Sequence, residues 1–141
     1  MKHTSAKTIL ILDGQGGGVG RKIAERLLCE KWNVNYVVVG ANALATSNMM
    51  KAGISAGATG ENAWVYNCAH ADIIVGPIGI ILANAMHGEI SPPMALAVAS
   101  SQAERVLVPV PNKHVKIAGA EEKGLTQYLE DVVQIIGAEA P

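Results

Sequence analysis

Along the chain, apolar runs typical of strands alternate with stretches in which apolar residues recur at helical spacing. Apolar runs rich in Val, Ile and Leu predict buried strands at 8–13, 34–39, 73–76 and 105–110. Shorter stretches at 54–58 and 114–118 predict a third and a sixth strand. Helical spacing between the runs predicts helices at about 19–31, 43–52, 60–70, 80–87 and 92–102, and a last helix with the apolar stripe Leu125, Tyr128, Leu129, Val132, Val133 and Ile136.

This alternation of strands and helices predicts one α/β domain over residues 1–141. We expect a Rossmann-like, doubly wound and mostly parallel sheet with helices on both faces and strand order 3-2-1-4-5. One ligand crevice should then lie above the first and fourth strands.

The helix at 60–70 has a competing interpretation, because Trp64 to Asn67 also suits a strand. On a strand, Cys68, His70 and Asp72 would share one face, where they could ligate a metal ion. On a helix they diverge. Since the three residues have no fourth ligand and no glycine-framed loop, we expect no metal site.

The most informative stretch follows the first strand. Residues 12–27 read LDGQGGGVGRKIAERL, so a strand leads into a glycine loop that opens a helix. Glycine allows a phosphate to approach the backbone, and the free N–H groups of the helix N-terminus attract its negative charge. The predicted phosphate contacts are Gly14, Gln15, Gly16, Gly17, Gly18, Val19 and Gly20.

The spacing of Gly14, Gly18 and Gly20 resembles the first turn of the short-chain dehydrogenases/reductases, which implies nucleotide binding. Asp13 stands where that family usually has a hydroxyl residue, and we expect its carboxylate to turn into the loop and accept N–H groups. The catalytic Tyr-x-x-x-Lys of that family is absent, since the residues four positions after the three tyrosines are Gly40, His70 and Val132.

The end of the second strand should contact the adenosine ribose, usually through an acidic residue for NAD or a basic one for NADP. The sequence there is Gly40-Ala41-Asn42, which carries no charge, so the choice between NAD and NADP stays open. Asn42 and Thr46 are candidates either to hold a 2′-phosphate or to cap the next helix.

Further candidates lie at later loops. Gly76, Pro77 and Ile78 follow the fourth strand, where open sheets bind ligands. Glu61, Asn62 and Glu89 are candidate substrate-pocket residues, although Glu61 also suits the first turn of a helix, where it would complement the dipole. His87 is expected to be an ordinary cation at a helix C-terminus, ended by Gly88. No catalytic residue can be assigned.

A longer resemblance runs through DGQGGGVGRKIA, VGANALATSNMMKAGISAGATGENA, ADIIVGPIGIILAN and GEISPPMA. These segments, in this order, resemble a family of short bacterial proteins described as domain of unknown function 3842. The resemblance implies a Rossmann-like fold in a cytoplasmic bacterial protein. It supplies no activity and no catalytic residue.

Composition narrows the classes of partner. Charged residues make up only 16% of the chain against 50% hydrophobic, which indicates extra buried surface, either in an all-parallel sheet covered on both faces or at a subunit interface, and we expect a homo-oligomer. A net charge of −1 and 4% aromatics give no reason to expect nucleic-acid binding. The longest apolar stretch, 73–83, is too short and too interrupted to span a membrane. Without an apolar signal-peptide region or a paired-cysteine motif, the sequence predicts a cytoplasmic protein.

Three functions remain compatible with these patterns. The first is a nucleotide-binding protein for NAD or NADP, with its phosphates at residues 14–20, and this one we favour. The second is a small oxidoreductase whose active site is completed by a second subunit. The third is a structural or interaction protein whose glycine turn binds nothing.

Overall fold

The computed structural model describes residues 6–111 and 114–139. The elements in chain order are β1 (Thr8–Asp13), α1 (Gly18–Leu28), β2 (Asn35–Gly40), α2 (Ala43–Met50), β3 (Gly57–Thr59), α3 (Glu61–Cys68), β4 (Ile73–Pro77), a 3-10 helix (Ile78–Ile81), α4 (Pro92–Ala99), β5 (Glu104–Val108) and α5 (Leu125–Gly137). The five strands form one sheet, all parallel, in the order β3-β2-β1-β4-β5. This confirms the predicted α/β class and strand order.

Successive residues of β1 point to opposite faces of the sheet, and helices cover both faces. Ile9 and Ile11 belong to a core with α1, α2 and α5, whereas Leu10 and Leu12 belong to a second core with α3 and α4. All four side chains have no exposed surface. Burying each stabilises the fold by about 1.5–3 kcal/mol, so β1 anchors both layers.

Residues 61–68 form α3, which decides against the strand interpretation of Trp64 to Asn67. Trp64 is fully buried, and its indole N–H donates to the Met94 carbonyl of α4 at 3.1 Å. Cys68, the last residue of α3, is buried, whereas His70 is exposed. Within residues 6–111 and 114–139, no cluster of three or more His, Cys, Asp or Glu side chains could hold a metal ion.

The predicted helix at 80–87 is wrong. The chain makes one 3-10 turn at Ile78–Ile81, and Leu82 is already extended, with φ −107° and ψ 111°. Asn84, Met86 and His87 then adopt positive φ of 67°, 58° and 56°. Ile80 and Ile90 are both fully buried in the same core, and the nine residues between them fold back through these turns.

Two strand predictions also change. The third strand lies at Gly57–Thr59 and not at 54–58, because Ile54 is drawn into the core with α1 and α2. The predicted sixth strand at 114–118 is absent from that described segment, where Val115 forms an isolated bridge. Ile117 is 46% exposed, so this stretch lacks the apolar face that would hold it against the sheet.

No helix in the described parts of the chain has the length and apolar character needed to cross a bilayer.

Candidate functional site

A cleft of about 900 Å³ lies at the carboxyl edge of the sheet, above β1, β4 and β5. It is lined by Asp13, Gln15 and Val19, by residues 77, 79 and 81–87, and by residues 110, 111, 114 and 115. The order β2-β1-β4 reverses direction at β1, and open α/β sheets bind ligands at such a switch point.

Asp13 organises the glycine loop at the edge of this cleft. Its Oδ1 accepts the Gly14 N–H at 2.8 Å, and its Oδ2 accepts the Gly20 N–H at 2.7 Å. The carboxylate is only 4% exposed, and this burial raises its pKa although both hydrogen bonds act in the opposite direction. Asp13 therefore takes the loop-organising position that its place before the glycines predicted.

Three amides of the loop have no acceptor in the part of the chain that the structure describes. The Gly17 N–H donates to the Gly14 carbonyl at 2.9 Å, and the Gln15 N–H donates to Glu89 at 2.6 Å. The N–H groups of Gly16, Gly18 and Val19 make no such bond. Because Gly18 and Val19 open α1, these amides carry the positive end of its dipole.

Three of the five loop glycines are explained by packing inside the protein. A Cβ on Gly14 would lie 2.7 Å from the Met86 sulfur, and one on Gly20 would collide with Met49. Gly17 has φ 71°, and a Cβ there would lie 2.7 Å from the Ala45 carbonyl oxygen. Gly17 is required by its backbone conformation and by the Ala45 backbone, whereas side chains at positions 14 and 20 would have to displace Met86 and Met49.

Gly16 and Gly18 have a different setting. Both are exposed, neither has a positive φ, and a Cβ on either would meet no atom within 4 Å. The Gly16 carbonyl is held by the Asn48 side chain at 3.0 Å, and Asn48 is itself bonded by Arg21 at 2.9 Å. The missing side chains leave open space directly over the free amides.

The two candidates at the adenosine position have different environments. Asn42 caps α2, since its Oδ1 accepts the Ala45 N–H at 2.9 Å, and its side-chain N–H₂ group bonds the Gln15 carbonyl and Glu89. Thr46 is 6% exposed, and its hydroxyl bonds Thr59 at 2.8 Å and the Gly40 N–H at 3.1 Å. The Thr46 hydroxyl is thus used within the protein.

The three candidates that the sequence placed after the fourth strand also differ in setting: Gly76 and Pro77 are the last residues of β4, and Ile78 begins the 3-10 helix. Gly76 is buried, and a Cβ there would collide with the Leu12 carbonyl oxygen, so β1 packing requires this glycine. Pro77 lines the cleft. Ile78 faces a neighbouring cavity of about 550 Å³ bounded by Val110 and Tyr128.

Glu61 and Glu89 do not lie in one place. Glu61 is in the first turn of α3, and its carboxylate accepts the hydroxyl of Ser91, the N-cap of α4. Asn62 beside it is exposed. Glu89 lies against the glycine loop, on Gln15 and Asn42.

The histidines lie where the sequence did not lead us to look. His87 follows no helix, and it lines the cleft together with His114. No spacing in the sequence relates these two residues, because each reaches the cleft through an irregular segment. Both histidines line the same cleft as Asp13 and Val19.

A family comparison covers nearly the whole chain. The model of the family described as domain of unknown function (DUF3842) matches residues 8–140. The chain belongs to this family. Neither the curated proteins nor the solved structures contained a match.

Proposed function

We propose that the chain binds a nucleotide of the NAD(P) type, with its phosphates over the loop Gly14–Gly20. The observation that carries this proposal is the set of free amides at Gly16, Gly18 and Val19. They lie at the N-terminus of α1. No contact in the described structure explains why the residues at positions 16 and 18 are glycines. Aligned amides of this kind hold phosphate through hydrogen bonds and the helix dipole.

The rest of the nucleotide has room on both sides of the loop. The cleft of about 900 Å³ begins at Gln15 and Val19 and extends over β4 and β5, where a nicotinamide ring would lie against Pro77 and Gly79. The adenosine would lie toward Asn42, at the end of β2. Two carboxylates lie beside this path: Asp13 is engaged by the Gly14 and Gly20 N–H groups, and Glu89 accepts the Gln15 N–H at 2.6 Å.

The test is a fluorescence titration of the purified protein with NADH and, separately, NADPH. Trp32 and Trp64 serve as energy-transfer donors, and the oxidised cofactors, flavin, ATP and S-adenosylmethionine follow as competitors. Saturable micromolar binding of a reduced cofactor supports the proposal. If neither reduced cofactor nor any competitor binds, the glycine loop is a structural turn and the proposal is refuted.

We also propose that the protein is a homo-oligomer. Tyr66 on α3 and Leu96 on α4 are 60% and 66% exposed, and Val65 beside them is 39% exposed. The two helices pack against each other on one face of the sheet, and we expect these side chains to contribute to one apolar surface for a second copy of the chain. Light scattering on the wild type and on Leu96→Glu would test this, and a wild-type monomer would contradict it.

A further inference from the structure

Glu89 reaches the end of β2 although it lies 47 residues after Asn42 in the chain. Its Oε2 accepts the Asn42 side-chain N–H at 2.8 Å, and its Oε1 accepts the Gln15 backbone N–H at 2.6 Å. Since Gln15 follows β1 and Asn42 follows β2, the carboxylate lies between the carboxyl ends of these two strands.

The fold fixes this position from below. Ile90 is fully buried, and its carbonyl accepts the Asn84 N–H at 2.6 Å, which closes the turn that carries Glu89. The sulfur of Met86 packs over Gly14, where a side chain would leave it no room. The segment 84–90 is therefore seated on the glycine loop on two sides of Glu89.

The carboxylate keeps acceptor capacity for a ligand. An ionised carboxylate offers about four acceptor positions, and Glu89 uses two of them on Gln15 and Asn42. Asn42 itself is fully engaged, because its Oδ1 holds Ala45 and its amide N–H groups hold Gln15 and Glu89. Within the described residues, no Lys, Arg or His side chain donates a hydrogen bond to Glu89.

We propose that Glu89, oriented by Asn42, accepts the free hydroxyls of the adenosine ribose and so selects NAD-type over NADP-type ligands. The inference rests on the proposed function. Ribose hydroxyls are donors that a carboxylate accepts, whereas a 2′-phosphate brings negative charge against the Glu89 carboxylate. In many dinucleotide-binding domains the acidic residue follows β2 directly. Here Asn42 occupies that position, and the negative charge comes from Glu89, which follows β4 in the chain.

The experiment compares dissociation constants for NADH and NADPH in the wild type, Glu89→Gln and Glu104→Gln. Glu89→Gln keeps the size of the side chain and removes its charge. Glu104→Gln removes the same charge from the start of β5, at the opposite edge of the sheet. ADP-ribose and 2′-phospho-ADP-ribose, used as competitors, repeat the comparison without the nicotinamide ring.

We expect the wild type to bind NADH at least about tenfold more tightly than NADPH, because the 2′-phosphate meets a like charge. In Glu89→Gln the preference should fall below about threefold, and in Glu104→Gln it should be unchanged. Equal or tighter binding of NADPH by the wild type overturns the inference and leaves the proposed function intact. An equal rise in affinity for both cofactors in Glu89→Gln also overturns it, since the carboxylate would then compete with the ligand. If neither cofactor nor any competitor in the titration panel binds the wild type, the proposed function itself fails.

Discussion

Replacing Gly18 by Asp separates the binding role of the glycine loop from its structural role. Gly18 is the first residue of α1, it is exposed, and a Cβ there would meet no atom within 4 Å. The fold therefore has room for the new side chain. The carboxylate would lie over the free amides of Gly18 and Val19, where we place the phosphate.

The expected change in stability is small and of favourable sign. Asp is roughly 0.3 kcal/mol better than glycine in a helix. A carboxylate in the first turn adds about 0.3–1 kcal/mol through the helix dipole. The nearby carboxylates of Asp13 and Glu89 reduce this gain, so we expect the Tm of Gly18→Asp to match the wild type within about 3 °C.

The expected change in affinity is large. A charge-assisted hydrogen bond contributes about 1.5–3 kcal/mol, so losing one of them weakens cofactor binding by about 10- to 150-fold. The assay is the NADH titration, with circular dichroism and thermal unfolding on the same samples. Gly124→Asp is the matched control, because Gly124 caps α5, does not line the cleft and also has open space at its Cβ position. A folded Gly18→Asp protein with wild-type affinity would refute the phosphate-loop assignment.

Three further predictions concern stability and reactivity. Gly17→Ala should lower the free energy of unfolding by at least about 2 kcal/mol, since Gly17 has φ 71° and faces the Ala45 carbonyl. Gly16→Ala should change the free energy of unfolding by less than about 0.5 kcal/mol. Urea unfolding of both variants tests this difference. Because burial raises the pKa of Asp13 above 3.8, its contribution to stability is complete below pH 3.8 and declines as the pH rises through the raised value. The unfolding free energy of the wild type minus that of Asp13→Asn should fall over this window, and a rise would contradict the direction of the shift. Burial raises the pKa of the Cys68 thiol to about 12, so iodoacetamide at pH 8 should add one adduct, at the exposed Cys29, and two adducts on the folded protein would show that α3 opens.

The glycine loop illustrates how far local patterns reach. The sequence predicted a strand, a glycine turn and a helix at 12–27, and Asp13 as the residue that accepts the loop amides. Those features depend on neighbours a few residues apart, so they are visible in one segment. The roles of the individual glycines cannot be read from that segment, because Gly14, Gly17 and Gly20 contact Met86, Ala45 and Met49, which belong to other parts of the chain.

What the sequence by itself determined is the α/β class, most of the alternation of strands and helices, and the strand order of a mostly parallel sheet, since hydrophobic periodicity and chain connectivity constrain them. Tertiary structure decided the path of residues 80–90, where Ile80 and Ile90 are buried in one core and the chain between them turns back through residues with positive φ. The same path carries Glu89 to Asn42 and His87 to the cleft. The sequence could not predict a carboxylate at the end of β2, because Glu89, which supplies it, follows β4 in the chain. Only the folded structure brings Glu89 next to Asn42.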